Sequence, residues 1–80
     1  MDKNIVLGKV QEIVRDVIDN EDIIISMSTT TEDVEGWDSL NHVQIVTELQ
    51  DFYKIKFSAR EMISWDNVGD MVESITNKIK

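Results

Sequence analysis

The chain has no proline, and its only glycines are Gly8, Gly36 and Gly69 in 80 residues. Proline and glycine are the strongest local interrupters of regular structure, so little in this chain stops a helix once begun. The apolar residues carry the matching period. Ile5, Val6, Val10, Ile13, Val14, Val17 and Ile18 recur at steps of three and four and predict a first helix over residues 3–19. Gly8 lies inside it and weakens it by about 1 kcal/mol relative to alanine. His42, Ile45, Val46, Leu49 and Tyr53, flanked by Phe52, form a stripe on a second helix that Asp38 or Ser39 can cap and that runs to about residue 54. Ser39, Leu40, Val43 and Thr47 share a neighbouring face, either as a docking strip or as the edge of the core. Residues 59–64 suit a short helix with Met62 and Ile63. Asp66 is the expected cap of a last helix over residues 67–79, striped by Val68, Met71, Val72, Ile75 and Ile79.

Residues 20–38 form a long first connection. Asn20, Glu21, Asp22 and the Ser26-to-Thr31 cluster favour turns. Ile23, Ile24, Ile25, Met27 and Val34 are together too apolar for water, so some of them should tuck under the helices. Residues 23–27 could also pair as a β-strand, but no strong partner strand is present. Residues 54–57 alternate like a strand and are too few to make one. The expected fold class is all-α: a small antiparallel four-helix bundle, three main helices and one short one, with a long first loop. Residues 1–80 are read as one domain with a thin core and modest stability.

The net charge of −8 is unevenly placed. Asp16, Asp19, Glu21, Asp22, Glu32, Asp33, Glu35 and Asp38 fall in a stretch without Lys or Arg, whereas the remainder balances its acids and bases. Nucleic acid and anionic lipid need a basic face, so neither is expected as a partner. A protein partner with a basic surface suits the acids; solvated acidity that keeps the chain soluble explains them equally well. The absence of cysteine excludes disulfides and thiolate metal sites. The N-terminus carries Asp2 and Lys3 and no long apolar run, so no signal peptide or membrane span is expected, and the cytoplasm is the default location.

Candidate chemistry is sparse. Asp38, Ser39 and His42 are the residue types of a nucleophilic triad, but a triad places histidine between serine and carboxylate, and no Gly-x-Ser-x-Gly elbow surrounds Ser39. His42 also falls on the buried stripe, as a packed core histidine would. A calcium loop starting at Asp33 fails, because Gly36 comes too early and the twelfth position is Gln44. Metal sites and catalytic residues are therefore not expected. Ser39 remains. A hydroxyl at a helix start lies among free N–H groups at the positive end of the dipole, which favours a phosphate ester. By itself, a serine there is usually only a cap.

Asp38-Ser39-Leu40, followed by Val43, Ile45, Val46 and Leu49, resembles the attachment motif of the acyl carrier protein family. The resemblance covers nearly the whole chain: the length, the long acidic first connection, the Phe57 junction, the short third helix and the final amphipathic helix. It implies that Ser39 carries a 4′-phosphopantetheine arm through a phosphodiester, with an acyl group held as a thioester on the arm's thiol. The protein would then be a non-catalytic carrier. A cysteine-free chain would borrow its sulfur from the prosthetic group. The implied partners are a phosphopantetheinyl transferase and acyl-loading and acyl-transfer enzymes with basic docking surfaces. They would meet a monomer at Glu35, Trp37, Asp38, Leu40, Val43 and Thr47. The chain departs from the strongly acidic second helix usual in housekeeping fatty-acid carriers. Asn41, Gln44 and Gln50 are neutral, and only Glu48 and Asp51 are acidic before Lys54. The run from Trp37 to His42 looks more like free-standing carriers of a specialised fatty-acid-like, polyketide-like, modified-lipid or sugar-acylation route than like aminoacyl carriers. The competing expectation is an unmodified acidic helical interaction module.

Overall fold

The computed structural model describes residues 2–79. Helix α1 spans Lys3–Ile18; the Asp2 carboxylate caps it by accepting the Asn4 N–H at 2.8 Å, and it stops where Asp19 turns left-handed at φ 60°. Val6, Val10, Ile13 and Val14 are buried along one side, as the three-and-four spacing requires. Helix α2 spans Ser39–Tyr53 and ends at a left-handed Lys54. Helix α3 is short, Ala59–Ile63, and is started by a reciprocal pair: Ser58 Oγ accepts the Glu61 N–H, and the Glu61 carboxylate accepts the Ser58 N–H. Helix α4 spans Val68–Lys78.

The result is a small antiparallel four-helix bundle with a long first loop. α1 packs against both α2 and α4. Val6, Val10 and Val14 join Ile45, Leu49, Val72 and Ile75 in a fully buried centre. Among the described residues the ion pairs are Lys3–Glu73, Lys9–Glu12 and Lys78–Glu61, so none of the eight acids from Asp16 to Asp38 has a base beside it there.

The first loop is fastened without a sheet. Residues 23–27 form no strand; two of their backbone polar groups pair with side chains of α1 instead. The Ile23 carbonyl accepts Arg15 Nε–H at 2.6 Å, and the Ile25 N–H donates to Gln11 Oε1 at 2.9 Å. Ile23 and Ile25 are buried, while Ile24 between them is 80% exposed, so the alternation of an extended segment survives without a partner strand. Farther on, the Met27 and Thr29 carbonyls accept the N–H groups of Gly69 and Val68 at 2.7 and 2.8 Å, tying the loop to the start of α4. A 3-10 turn, Thr31–Asp33, follows, and then Val34 and Trp37 enter the core.

The cap of α4 is Asn67, where the sequence pointed to Asp66. Asn67 Oδ1 accepts the Asp70 N–H at 2.9 Å. Asp66 lies one residue too early, and its own N–H donates to the Asp70 carboxylate at 2.9 Å. Both residue types can cap, and the backbone turn chooses between them.

Candidate functional site

The chain reaches Ser39 through a left-handed turn at Gly36, φ 91°, where a Cβ would lie 3.0 Å from Ile18 Cγ2. The Gly36 carbonyl accepts the Asn41 side-chain amide. Asp38 then caps α2: its Oδ1 accepts the Asn41 N–H at 2.9 Å, and its carbonyl accepts the His42 N–H at 2.9 Å. This division of labour bears on Ser39. Ser39 is the first residue of α2, not its cap, and it is exposed. Among the described residues its hydroxyl has no hydrogen-bond partner. The N–H groups of Ser39 and Leu40 have none either, as expected for a first turn.

Beside Ser39 an open groove of about 490 Å³ runs between Asp38, Val43, Thr31 and the rings of Trp37, His42 and Trp65. A smaller cavity of about 60 Å³ shares Thr31 and those three rings as walls and is closed below by Val68 and Met71. Trp37 Nε1–H donates to His42 Nδ1 at 3.2 Å. That bond fixes the neutral imidazole with its proton on Nε2. Partial burial pushes the His42 pKa below its ordinary 6.5, so the ring is neutral at physiological pH. Trp65 Nε1–H donates to Ser74 Oγ at 2.9 Å, and its ring meets Phe57 edge-on.

These bonds also dispose of a triad. The His42 nitrogen that a carboxylate would orient is taken by Trp37, and the Asp38 carboxylate is taken by the Asn41 N–H. His42 is a half-buried groove wall, not the fully packed stripe residue its spacing suggested.

Of the residues singled out for partner contact, Glu35, Asp38, Leu40, Val43 and Thr47 are exposed. Leu40 is 82% exposed and Val43 65%, so they form a surface strip and not an edge of the core. Thr47 Oγ–H donates to the Val43 carbonyl at 2.8 Å. Trp37 does not belong with them. It is 7% exposed and tied to His42, so its ring packs inward and offers partners almost no surface. Sequence reasoning missed Trp65 and Thr31 as groove walls. Neither lies on a periodic stripe, and the only available signal was that the chain's second tryptophan stands in a turn, where burial needs a tertiary partner.

Three comparisons bear on what such a site serves. Residues 8–75 match the family described as "Phosphopantetheine attachment site". Proteins called acyl carrier protein in Streptococcus pyogenes serotypes M1 and M18 are 32% identical over 75 residues, covering 94% of this chain and 97% of theirs. The solution NMR structure of a holo acyl carrier protein from Geobacter metallireducens superposes with a TM-score of 0.84 at 34% identity, covering 91% of this chain and 84% of that one.

Proposed function

This chain belongs to the phosphopantetheine-attachment family and is an acyl carrier protein, and from that premise we propose that Ser39 is the residue that bears the arm. The family's 4′-phosphopantetheine is covalent, and its terminal thiol supplies the sulfur of a thioester that this cysteine-free chain cannot supply itself. The carrier itself is non-catalytic. One observation carries the assignment to Ser39: its hydroxyl has no structural task, because Asp38 does the capping. A serine left over at a helix start, exposed and flanked by two free N–H groups, suits a phosphodiester. The N–H groups and the dipole stabilise the phosphate charge, and the absence of a cap bond leaves the oxygen free to be modified.

The finer reading is a free-standing, cytoplasmic carrier of a specialised pathway, met as a monomer by enzymes with basic docking surfaces. It is supported by the neutral Asn41, Gln44 and Gln50 on α2 and by the acids Glu35 and Asp38, which have no base beside them among the described residues, next to an apolar strip of Leu40 and Val43. No helix among the described residues is long and apolar enough to cross a membrane. The test is intact-mass measurement after incubation with coenzyme A and a broad-specificity phosphopantetheinyl transferase. One arm should be added, and none to Ser39→Ala. Failure of several active transferases to modify the wild-type chain would leave the unmodified interaction module as the better account.

A further inference from the structure

The turn that delivers Ser39 is laced to the first turn of α2 by two successive residues that reach back over it. The Asn41 side-chain amide donates to the Gly36 carbonyl, and His42 Nδ1 accepts the Trp37 indole N–H at 3.2 Å, each across five positions of sequence. The Trp37–His42 rung lies inward, with Trp37 in the core. The Asn41–Gly36 rung lies outward and fills no core: Gly36 is exposed and Asn41 is half-buried. A carbonyl can only accept, so the Asn41 group on Gly36 is its NH₂, and an ionised carboxylate at the same position could not make this bond.

The outer rung bears on where the Ser39 hydroxyl is held. Gly36 is left-handed and passes close to Ile18 at the end of α1, so α1 limits the turn on one side. On the other side Asn41 grips it twice: its amide holds the Gly36 carbonyl, and its backbone N–H donates to Asp38 Oδ1 at 2.9 Å. These two points bracket Trp37 and lead directly into Ser39. Ser39 gives neither its hydroxyl nor its N–H to any bond among the described residues, so its neighbours alone fix its oxygen. Attachment needs that oxygen in one place. It bonds to the pantetheine-bearing phosphorus of coenzyme A, the diphosphate P–O bond breaks, the adenosine bisphosphate half departs, and the hydroxyl proton passes to solvent. An oxygen that swings with a frayed turn spends less time aligned for that displacement.

We propose that Asn41 is a positioning residue for arm attachment: by tying the Gly36 carbonyl and the Asp38 carboxylate to the first turn of α2, it holds the Ser39 hydroxyl where the transferase can use it. The proposal rests on the arm being at Ser39.

The test is the rate of arm transfer from coenzyme A by a broad-specificity phosphopantetheinyl transferase, followed by intact mass at a temperature where circular dichroism shows every variant folded. Asn41→Ala should lower kcat roughly two- to tenfold at every ionic strength, the range that one net hydrogen bond gives. KM should stay within about twofold of wild type, because the exposed acids and Leu40 are unchanged. Asn41→Asp keeps the shape and cannot donate. α2 has no acid in its first turn, so the new carboxylate suits the helix dipole, and this variant should melt no lower than Asn41→Ala. At high ionic strength, where its added charge is screened, it should nonetheless transfer as slowly as Asn41→Ala. Gln11→Ala is the control. It removes the bond to the Ile25 N–H at 2.9 Å, a clamp of the same kind between α1 and the early part of the first loop, and should lower the melting temperature without slowing transfer. A wild-type protein that takes no arm refutes the attachment at Ser39 and this inference with it. With the wild type modified, three results refute this inference alone: a wild-type kcat in Asn41→Ala, a loss confined to KM, or a rate that simply follows melting temperature across the three variants.

Discussion

Replacing glycine by alanine at two helical positions should move stability in opposite directions, and the structure supplies the sign for each. Gly8 lies on the exposed side of α1, and a Cβ there would meet nothing within 4 Å. Only helix propensity acts, so Gly8→Ala should stabilise by about 0.5–1 kcal/mol. Gly69 is the second residue of α4. A Cβ there would stand 2.7 Å from the Met27 carbonyl oxygen, 3.2 Å from Asn67 Oδ1 and 3.3 Å from Met27 Cβ. The first of these is a backbone atom that already accepts the Gly69 N–H at 2.7 Å, so it cannot yield without opening that bond. The neighbouring Val68-to-Thr29 bond is on the same piece of loop. Each lost bond costs about 0.5–1.5 kcal/mol net, and disturbing the Asn67 cap about 1 kcal/mol more. The propensity gain returns at most about 1 kcal/mol. Gly69→Ala should therefore destabilise by about 1–3 kcal/mol. Thermal unfolding followed by far-ultraviolet circular dichroism resolves this readily, because a domain this size moves roughly 4–8 °C per kcal/mol. A Gly69→Ala protein as stable as wild type would refute the claim that the Met27–Thr29 carbonyls hold the start of α4.

Salt, or millimolar divalent cations, should raise the melting temperature, because the acids from Asp16 to Asp38 have no bases beside them among the described residues. Neutralising Glu32, Asp33 and Glu35 together should shrink that rise. Glu35→Lys should slow arm transfer chiefly at low ionic strength, while Leu40→Ala, at an 82% exposed position, should slow it at every ionic strength without changing the circular dichroism. Transfer at the wild-type rate in Leu40→Ala would remove that strip from the docking surface. Burial lowers the folded-state pKa of His42 below 6.5, so the unfolded chain takes up the proton first as pH falls. The histidine's contribution to stability is thus fully present above pH 6.5 and is lost as pH falls through the lower folded value. Melting temperatures measured across that window should fall less in His42→Gln than in wild type.

The three long helices were legible because each buries a stripe of period 3.6, which is a property of neighbouring residues. The place of Ser39 at the start of α2 was legible for the same reason: the stripe fixes where the helix begins, and Asp38 is a strong cap in front of it. What lay outside the sequence's reach depends on contacts between distant segments. Trp37 is buried in a core that residues of α1, α2 and α4 build together. The exposure of Leu40 and Val43 depends on which flank of α2 the other helices leave uncovered. Trp65 becomes a groove wall only because Ser74, on α4, holds its indole N–H. Residues 23–27 have the alternation of a strand, yet Gln11 and Arg15 satisfy its backbone where a second strand otherwise would.

The placement of α1 against both α2 and α4 affects when the protein can fold as it is made. α2 follows α1 off the ribosome after one loop, but α4 comes out only after α2 and α3. Until it does, one flank of the valine stripe of α1 has no cover, and the Met27 and Thr29 carbonyls have no helix start to bind. Domains of this kind fold as units and not helix by helix. The nascent chain therefore stays open until α4 has been made, and the arrival of α4 closes the core and shapes the groove beside Ser39 in the same event.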